Sequence, residues 1–338
     1  MPTPETPQQA DPTDAPAAEN GAAGAPGADP WERMPEDALN VPSRAGAAED
    51  GGGPGPAAEP ASGEDPAGDT GPARQGWTDF LPSPVLVLLL GLAGFAGWLS
   101  WQAVELDWVA EGTRVTPLIP PLLILLGWIV SCAVHEFGHA LAAYLAGDRS
   151  LRGSGYLRLN PFAYREAFGG LVLPVTYLCL SGLGLTGPPA YVDWDRIPGR
   201  GRRVLVALAG PLASLAAAAL LALTVSLLVP PGNDTTNWAI AALAFLSLAN
   251  LTAAAINLLP LPGLDGFEVL APWLPGRAVR PGRAWGAFGS IAVFAVLWFP
   301  SAKGPFTDLF YGLFTLVLPN PAFPGMAFHG ELLLQFWG

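Results

Sequence analysis

After residue 82, apolar residues fall into long blocks, at roughly 84–103, 118–146, 167–185, 204–229, 237–262, 284–300 and 306–319. Charged residues gather in the short stretches between them. A helix needs about 20 apolar residues to cross a hydrocarbon core of roughly 30 Å. Most of the blocks reach that length, so the body, residues 77–338, is expected to be an all-α polytopic membrane domain. The blocks at 284–300 and 306–319 are the shortest. The block at 167–185 carries Gly169, Gly170, Pro174, Gly182 and Gly184, which weaken a helix.

Charge then orders the blocks. The stretch 104–117 holds Glu105, Asp107 and Glu111 against Arg114, and 230–236 holds only Asp234. Arginines crowd 147–166 (Arg149, Arg152, Arg158, Arg165), 196–203 (Arg196, Arg200, Arg202, Arg203) and 277–283 (Arg277, Arg280, Arg283). By the positive-inside rule the arginine-rich stretches are cytoplasmic and the acidic ones are not. The block 167–185 lies between two cytoplasmic stretches, so 151–195 is expected to dip in and return, as a short re-entrant or β-like membrane element. About six spans follow, with both termini cytoplasmic. Trp101, Trp238, Trp285 and Trp298 fall near expected span ends, where indoles prefer to sit. Arg200, Arg202 and Arg203 mark the cytoplasmic interface, and holding lipid headgroups is a second role for them.

Composition agrees with the blocks. Half the chain (51%) is hydrophobic and 13% is charged, against about a quarter charged in soluble domains. The net charge of −12 is not spread evenly: residues 1–76 hold 14 acids and 3 bases, and the rest hold 14 and 13. The acidity therefore belongs to the N-terminal segment. The nearly neutral body has no basic patch with interleaved aromatics, so no nucleic-acid partner is expected. Segment 1–76 contains 14 Pro and 12 Gly and is expected to be a disordered acidic tail. It lacks the basic start and apolar core of a secretory leader. Its patch Trp31–Val41 mixes apolar and charged residues, as a plain linker or as a motif for a docking partner. Cys132 and Cys179 both lie in apolar blocks, which excludes a disulfide framework.

Three histidines occur, and two of them form His135-Glu136-Phe137-Gly138-His139 inside an apolar block. On a helix, positions i and i+4 share a face, so both imidazoles can reach one metal ion. Glu136 is offset by one residue and can act as general base toward water at an open coordination position. Ionisable groups inside a membrane helix cost on the order of 3 kcal/mol or more and are normally functional. The plain alternative is a polar cluster joining helices. Catalytic zinc takes three protein ligands and leaves a fourth position open. The third ligand is sought at His329 or, better, at Asp265 in Asn257–Gly266, where two prolines and two glycines break the helix. An ordinary helix-ending turn would account for the same residues. Cys132 shares the histidine face, as a thiolate ligand or a small apolar filler.

Taken together these segments resemble the site-2 protease family of intramembrane zinc metalloproteases. The residues that carry the resemblance are HEFGHALAAYLAGD (His135–Asp148) and NLLPLPGLDG (Asn257–Gly266). Between them, LVALAGPLASL (Leu205–Leu215) resembles the family's small-residue helix with its Gly-Pro step. LRLNPFAYREAFGGLVLP (Leu157–Pro174) resembles a stretch of the compact bacterial subgroup. The resemblance covers about 116–272, the expected catalytic core. It implies His135, His139 and Asp265 as ligands of one zinc ion and Glu136 as the catalytic carboxylate. It also implies substrate-binding roles for Asn257 and Asn250. Residues 147–203 leave no room for the PDZ domain of larger members. The 19 residues after 319 leave none for a regulatory nucleotide-binding pair.

The implied function is an intramembrane zinc endopeptidase. It would hydrolyse a peptide bond in or near a transmembrane segment of a membrane-protein substrate. The expected location is a bacterial cell membrane, with the active site in its cytoplasmic half. The Gly/Pro-rich element would offer an edge to an unwound substrate. Two readings differ in class. An inactive scaffold, or pseudoprotease, working through its tail would be free to lose its base or a ligand, yet all are present. A metal transporter would need ionisable residues laddered through its spans, and 84–103, 204–229 and 237–262 contain no charged residue.

Overall fold

The computed structural model describes residues 80–103 and 118–335. The acidic segment 1–76 with its Trp31–Val41 patch, and the stretch 104–117, lie outside the described residues. Ten helices carry the argument: α1 (Pro84–Gln102), α2 (Ile119–Ala146), α3 (Leu173–Ser181), α4 (Arg200–Leu228), α5 (Trp238–Asn257), α6 (Asp265–Leu270), α7 (Gly276–Ala284), α8 (Phe288–Leu297), α9 (Pro300–Val317) and α10 (Phe323–Leu334). No strand occurs among the described residues. The expected all-α architecture is the one observed.

Four helices, α1, α2, α4 and α5, are long and apolar enough to cross a membrane. Their starts follow local chemistry. Ser83 caps α1 by accepting from Leu86 N at 3.2 Å, just before Pro84. Asn237 caps α5 by accepting from Ala239 N and Ile240 N. Such caps satisfy backbone donors that a helix leaves unpaired. The two last apolar blocks instead give α8, of ten residues, and α9, which begins at Pro300 and carries Lys303 and Asp308. Proline at a new N-terminus separates them. Neither meets the length and apolarity of the other four.

Helix directions follow from residue pairings. Gly138 of α2 lies against Ala209 and Ala213 of α4, while His135 meets Ser214 and His139 meets Val206. Rising numbers on one helix pair with falling numbers on the other, so α2 and α4 are antiparallel. Gly127 of α2 lies against Leu246 of α5 and Ser131 against Asn250, so α2 and α5 run parallel. α5 is the central helix, buried among α2, α4 and α10. Its close neighbours are small residues, as membrane helix packing requires: Ser247 donates to Ala218 O at 2.8 Å, and Gly330 of α10 sits on Ala241 and Phe245. Leucines cover the outside of α4, with Leu220 65% and Leu227 75% exposed. An apolar outer face of that kind suits lipid.

The block at 167–185 becomes one π-turn, Phe168–Val172, continued by α3. Fourteen residues span about 21 Å, too short to cross alone. The turn ends on Gly182, whose φ of 71° reverses the chain, and residues 183–189 return without regular secondary structure. This segment is seated between α2 and α5: Trp128 Nε1 donates to Pro174 O at 3.0 Å, and Gly184 lies flush against the Ala249 carbonyl.

A methyl group at Gly184 would collide with that carbonyl and with Trp128, whereas one at Gly91 of α1 meets nothing within 4 Å. Gly184→Ala is expected to lower stability by about 1–3 kcal/mol, the usual cost of overpacking. Gly91→Ala is expected to leave it unchanged or slightly raised. Apparent melting temperature in detergent, followed by fluorescence size exclusion, checks both.

Candidate metal centre

Two helices and one helix break build the centre. HExxH lies in the second half of α2, and Asp265 opens α6 after the Pro260–Pro262 break. His135, His139 and Asp265 are fully buried, and their ligand atoms lie within 4.8 Å of one another. Asp265 Oδ2 is 3.3 Å from His135 Nε2, Oδ1 is 3.3 Å from His139 Nε2, and the two Nε2 atoms are 3.2 Å apart.

The far side of each imidazole fixes what this side offers. His139 Nδ1 faces Val206 O at 2.7 Å. A carbonyl only accepts, so Nδ1 carries the proton and Nε2 presents a lone pair. His135 Nδ1 lies 2.9 Å from Ser214 Oγ, a hydroxyl able to accept from Nδ1–H in the same sense. Apart from the two imidazoles, neither carboxylate oxygen of Asp265 has a hydrogen-bond partner. With each imidazole protonated at Nδ1, the cluster is four acceptor atoms facing one another, and a buried bare carboxylate is costly without a counter-charge. The donor set of two imidazoles and one carboxylate suits zinc with a fourth position open. Ligand histidines fixed by outer partners on their reverse sides are the usual construction of such a site. Gly210 is required there, because any side chain on it would overlap the His139 ring.

Glu136, also buried, leaves Oε2 without a partner and is held at its backbone, where the Tyr191 hydroxyl donates to Glu136 O at 2.8 Å. Thr186, on the irregular return, places Oγ1 3.2 Å from His135 Nε2 and accepts from Asn257 Nδ2. Asn257 therefore stands one residue behind the cluster. Asn250 stands further back, donating to Ser131 Oγ and Leu246 O at 2.9 Å each and so tying α5 to α2. His329 lies on α10, where its charged neighbour is Asp234 of the loop before α5. That loop is at the opposite end of α5 from Asn257 and Asp265, so Asp265 is the third residue of the cluster. Cys132 is buried among apolar residues in the core and is not one of the clustered residues. Sequence reasoning missed Thr186 and Tyr191. Both belong to an aperiodic Gly/Pro-rich segment and reach α2 across 51 and 55 residues.

A second layer steadies Asp265. One turn along α6, the buried Glu268 carboxylate accepts two hydrogen bonds from Arg283 of α7, from Nε at 2.9 Å and from Nη2 at 2.7 Å. The Arg283 guanidinium lies 5.1 Å over the Trp194 ring, and Phe267 packs flush on Gly282. A cavity of about 220 Å³ adjoins this pair, lined by Pro188, Ala190, Trp194, Leu264, Glu268 and Arg283.

Curated relatives are by name zinc metalloproteases. The chain is 37% identical over 263 residues to Rip2 of Mycobacterium tuberculosis, by name a zinc metalloprotease, covering 76% of this chain and 94% of that one. Rip2 of Mycolicibacterium smegmatis is 34% identical over the same shares. YwhC of Bacillus subtilis, also by name a zinc metalloprotease, is 34% identical over 167 residues, 47% of this chain and 71% of its own. No family model and no solved structure matches the chain.

Arg283→Met is expected to leave Glu268 buried without its partner and to loosen α6. Zinc affinity should then fall about 10- to 100-fold, as on loss of other outer-layer partners. The double variant Glu268→Leu/Arg283→Met, which removes the orphaned charge, should recover part of the loss. Competition with a chelator of known affinity measures both.

Proposed function

Since the chain belongs to the site-2 protease family of zinc metalloproteases, we propose that it is an intramembrane endopeptidase. It cuts a peptide bond in or near a transmembrane segment of another membrane protein. The observation that carries this reading is the buried His135–His139–Asp265 cluster, with Glu136 beside it, inside a bundle of membrane-length apolar helices.

In this reading His135 Nε2, His139 Nε2 and an Asp265 carboxylate oxygen hold zinc, which when bound polarises a carbonyl and makes water acidic enough to attack at neutral pH. Glu136 takes a proton from the attacking water as its oxygen bonds to the carbonyl carbon. It returns that proton to the amine nitrogen as the C–N bond breaks. Thr186 and Asn257 orient the His135 side of the site. A transmembrane helix hides its carbonyls in its own hydrogen bonds, so the substrate must unwind locally, and the irregular return that carries Thr186 lies beside the centre to receive it.

The location follows the charges. Arg203, Arg280 and Arg283 line one cavity at the Asp265 end of the bundle, and Asp234 lies at the other. By the positive-inside rule the active-site end, where α1 begins, faces the cytoplasm of a bacterial cell.

Metal analysis of detergent-purified protein is expected to find about one zinc per chain, one three-ligand site filled, with loss in both His139→Ala and Asp265→Ala. Glu136→Gln should keep the metal and abolish cleavage of single-span proteins reconstituted with the enzyme. Zinc-free wild type purified with zinc supplied, or cleavage undiminished in Glu136→Gln, would refute the reading.

A further inference from the structure

Three tyrosines from the segment between α2 and α4 stack into a column beside Glu136. Tyr156 lies between the other two, with ring centroids 4.4 Å from Tyr164 and 3.5 Å from Tyr191, and interplanar angles of 12° and 16°. Two of the hydroxyls have partners: Tyr191 donates to Glu136 O, and Tyr156 accepts from Glu166 N at 3.1 Å. The third does not. Tyr164 is 7% exposed, and its hydroxyl has no hydrogen-bond partner. A buried phenol normally finds one.

The place this residue occupies supplies a reason. Gly170 separates the Tyr164 ring from the Glu136 carboxylate. A methyl group built on Gly170 would lie 3.4 Å from Tyr164 Cδ2 and 3.6 Å from Glu136 Oε1. Both side chains therefore border the small space that the missing side chain leaves open. Two buried polar atoms without partners, Tyr164 Oη and Glu136 Oε2, belong to the two residues that border it. Burial, and secondarily the charge of Glu136, hold the Tyr164 hydroxyl well above its ordinary pKa. It remains an O–H donor across the physiological range. The column fixes the ring from behind, so the hydroxyl is pre-placed before any substrate arrives.

We propose that Tyr164 is a further catalytic residue, a hydrogen-bond donor to the carbonyl oxygen of the scissile peptide. The proposal rests on the endopeptidase reading. As the water oxygen bonds to the carbonyl carbon, the C=O π pair moves onto the carbonyl oxygen. The Tyr164 O–H bond stays intact and donates to that developing oxyanion. When the C–N bond breaks, the pair returns to re-form C=O, and the amine takes its proton from Glu136. Tyr164 thus ends the cycle as it began.

The test compares Tyr164→Phe, which keeps the ring and the column, with wild type and with Tyr156→Phe, which loses only the bond from Glu166 N. Zinc-loaded proteins are assayed on one single-span substrate and titrated with a phosphinic peptide, a tetrahedral anion that resembles the transition state. Tyr164→Phe is expected to lower kcat and phosphinate affinity together, by about 100-fold, the usual effect of losing one oxyanion donor. KM, zinc content and melting temperature should stay unchanged, and Tyr156→Phe should behave as wild type. Unchanged kcat and phosphinate affinity in Tyr164→Phe, beside an active wild type, would overturn the assignment and leave the proposed function standing. So would a loss that tracks zinc loss or unfolding. A wild type that neither cleaves nor binds the phosphinate would overturn both.

Discussion

A buried carboxylate and two imidazole nitrogens turned toward one another, with nothing else bonded to the carboxylate, form an arrangement that a cation satisfies. Everything around the centre holds it in that state. Val206 O and Ser214 engage the reverse sides of the histidines. Gly210 gives up its side chain so that the His139 ring can lie against α4. Arg283 spends its charge on Glu268, one turn beyond Asp265. Bringing such groups together opposes folding, and the ion's coordination free energy offsets that cost, so binding and assembly of the centre are coupled. Bundle packing supplies the rest of the scaffold: small residues let α2, α4 and α5 approach within reach of a single ion.

The same constraint explains why the parallel course of α2 and α5 matters. The histidines lie in the second half of α2, and the carboxylate follows the end of α5 after a break. Two parallel helices bring those positions to one end of the bundle, and the antiparallel α4 between them contributes Val206, Gly210 and Ser214 in reverse order. An antiparallel α2–α5 pair would have put Asp265 at the opposite end from the histidines. The broken stretch Leu258–Leu264 then carries the chain back beneath the ligands, and Gly266 fits flush against the Leu258 and Leu259 carbonyls to close the turn.

Much of this was legible in the sequence because it is written locally. HExxH carries its own geometry in the i, i+4 spacing, and Asn257–Gly266 announces a helix break with an acid inside it. The long spans declare themselves by length and apolarity. Other features depend on contacts between distant positions. Thr186 and Tyr191 lie in a stretch with neither helical nor strand period, so nothing in their neighbours marks them as partners of His135 and Glu136. Tyr164 looks like an ordinary loop aromatic until stacking places it beside Gly170. The last two apolar blocks read as spans by composition. Pro300, with Lys303 and Asp308 close behind it, divides them into a ten-residue helix and a partly charged one.

Gly210 bears on how members of such a family should be sorted into competent and retired ones. The residue has no side chain with which to bind or react, yet the volume it leaves empty is where the His139 imidazole lies. A chain could retain every ligand and its general base while carrying alanine at that position, and its centre would be blocked sterically. An inventory of ligands therefore overestimates competence. The more reliable criterion is the unfilled volume opposite each ligand, a property of the neighbouring helix that no list of chemical groups records.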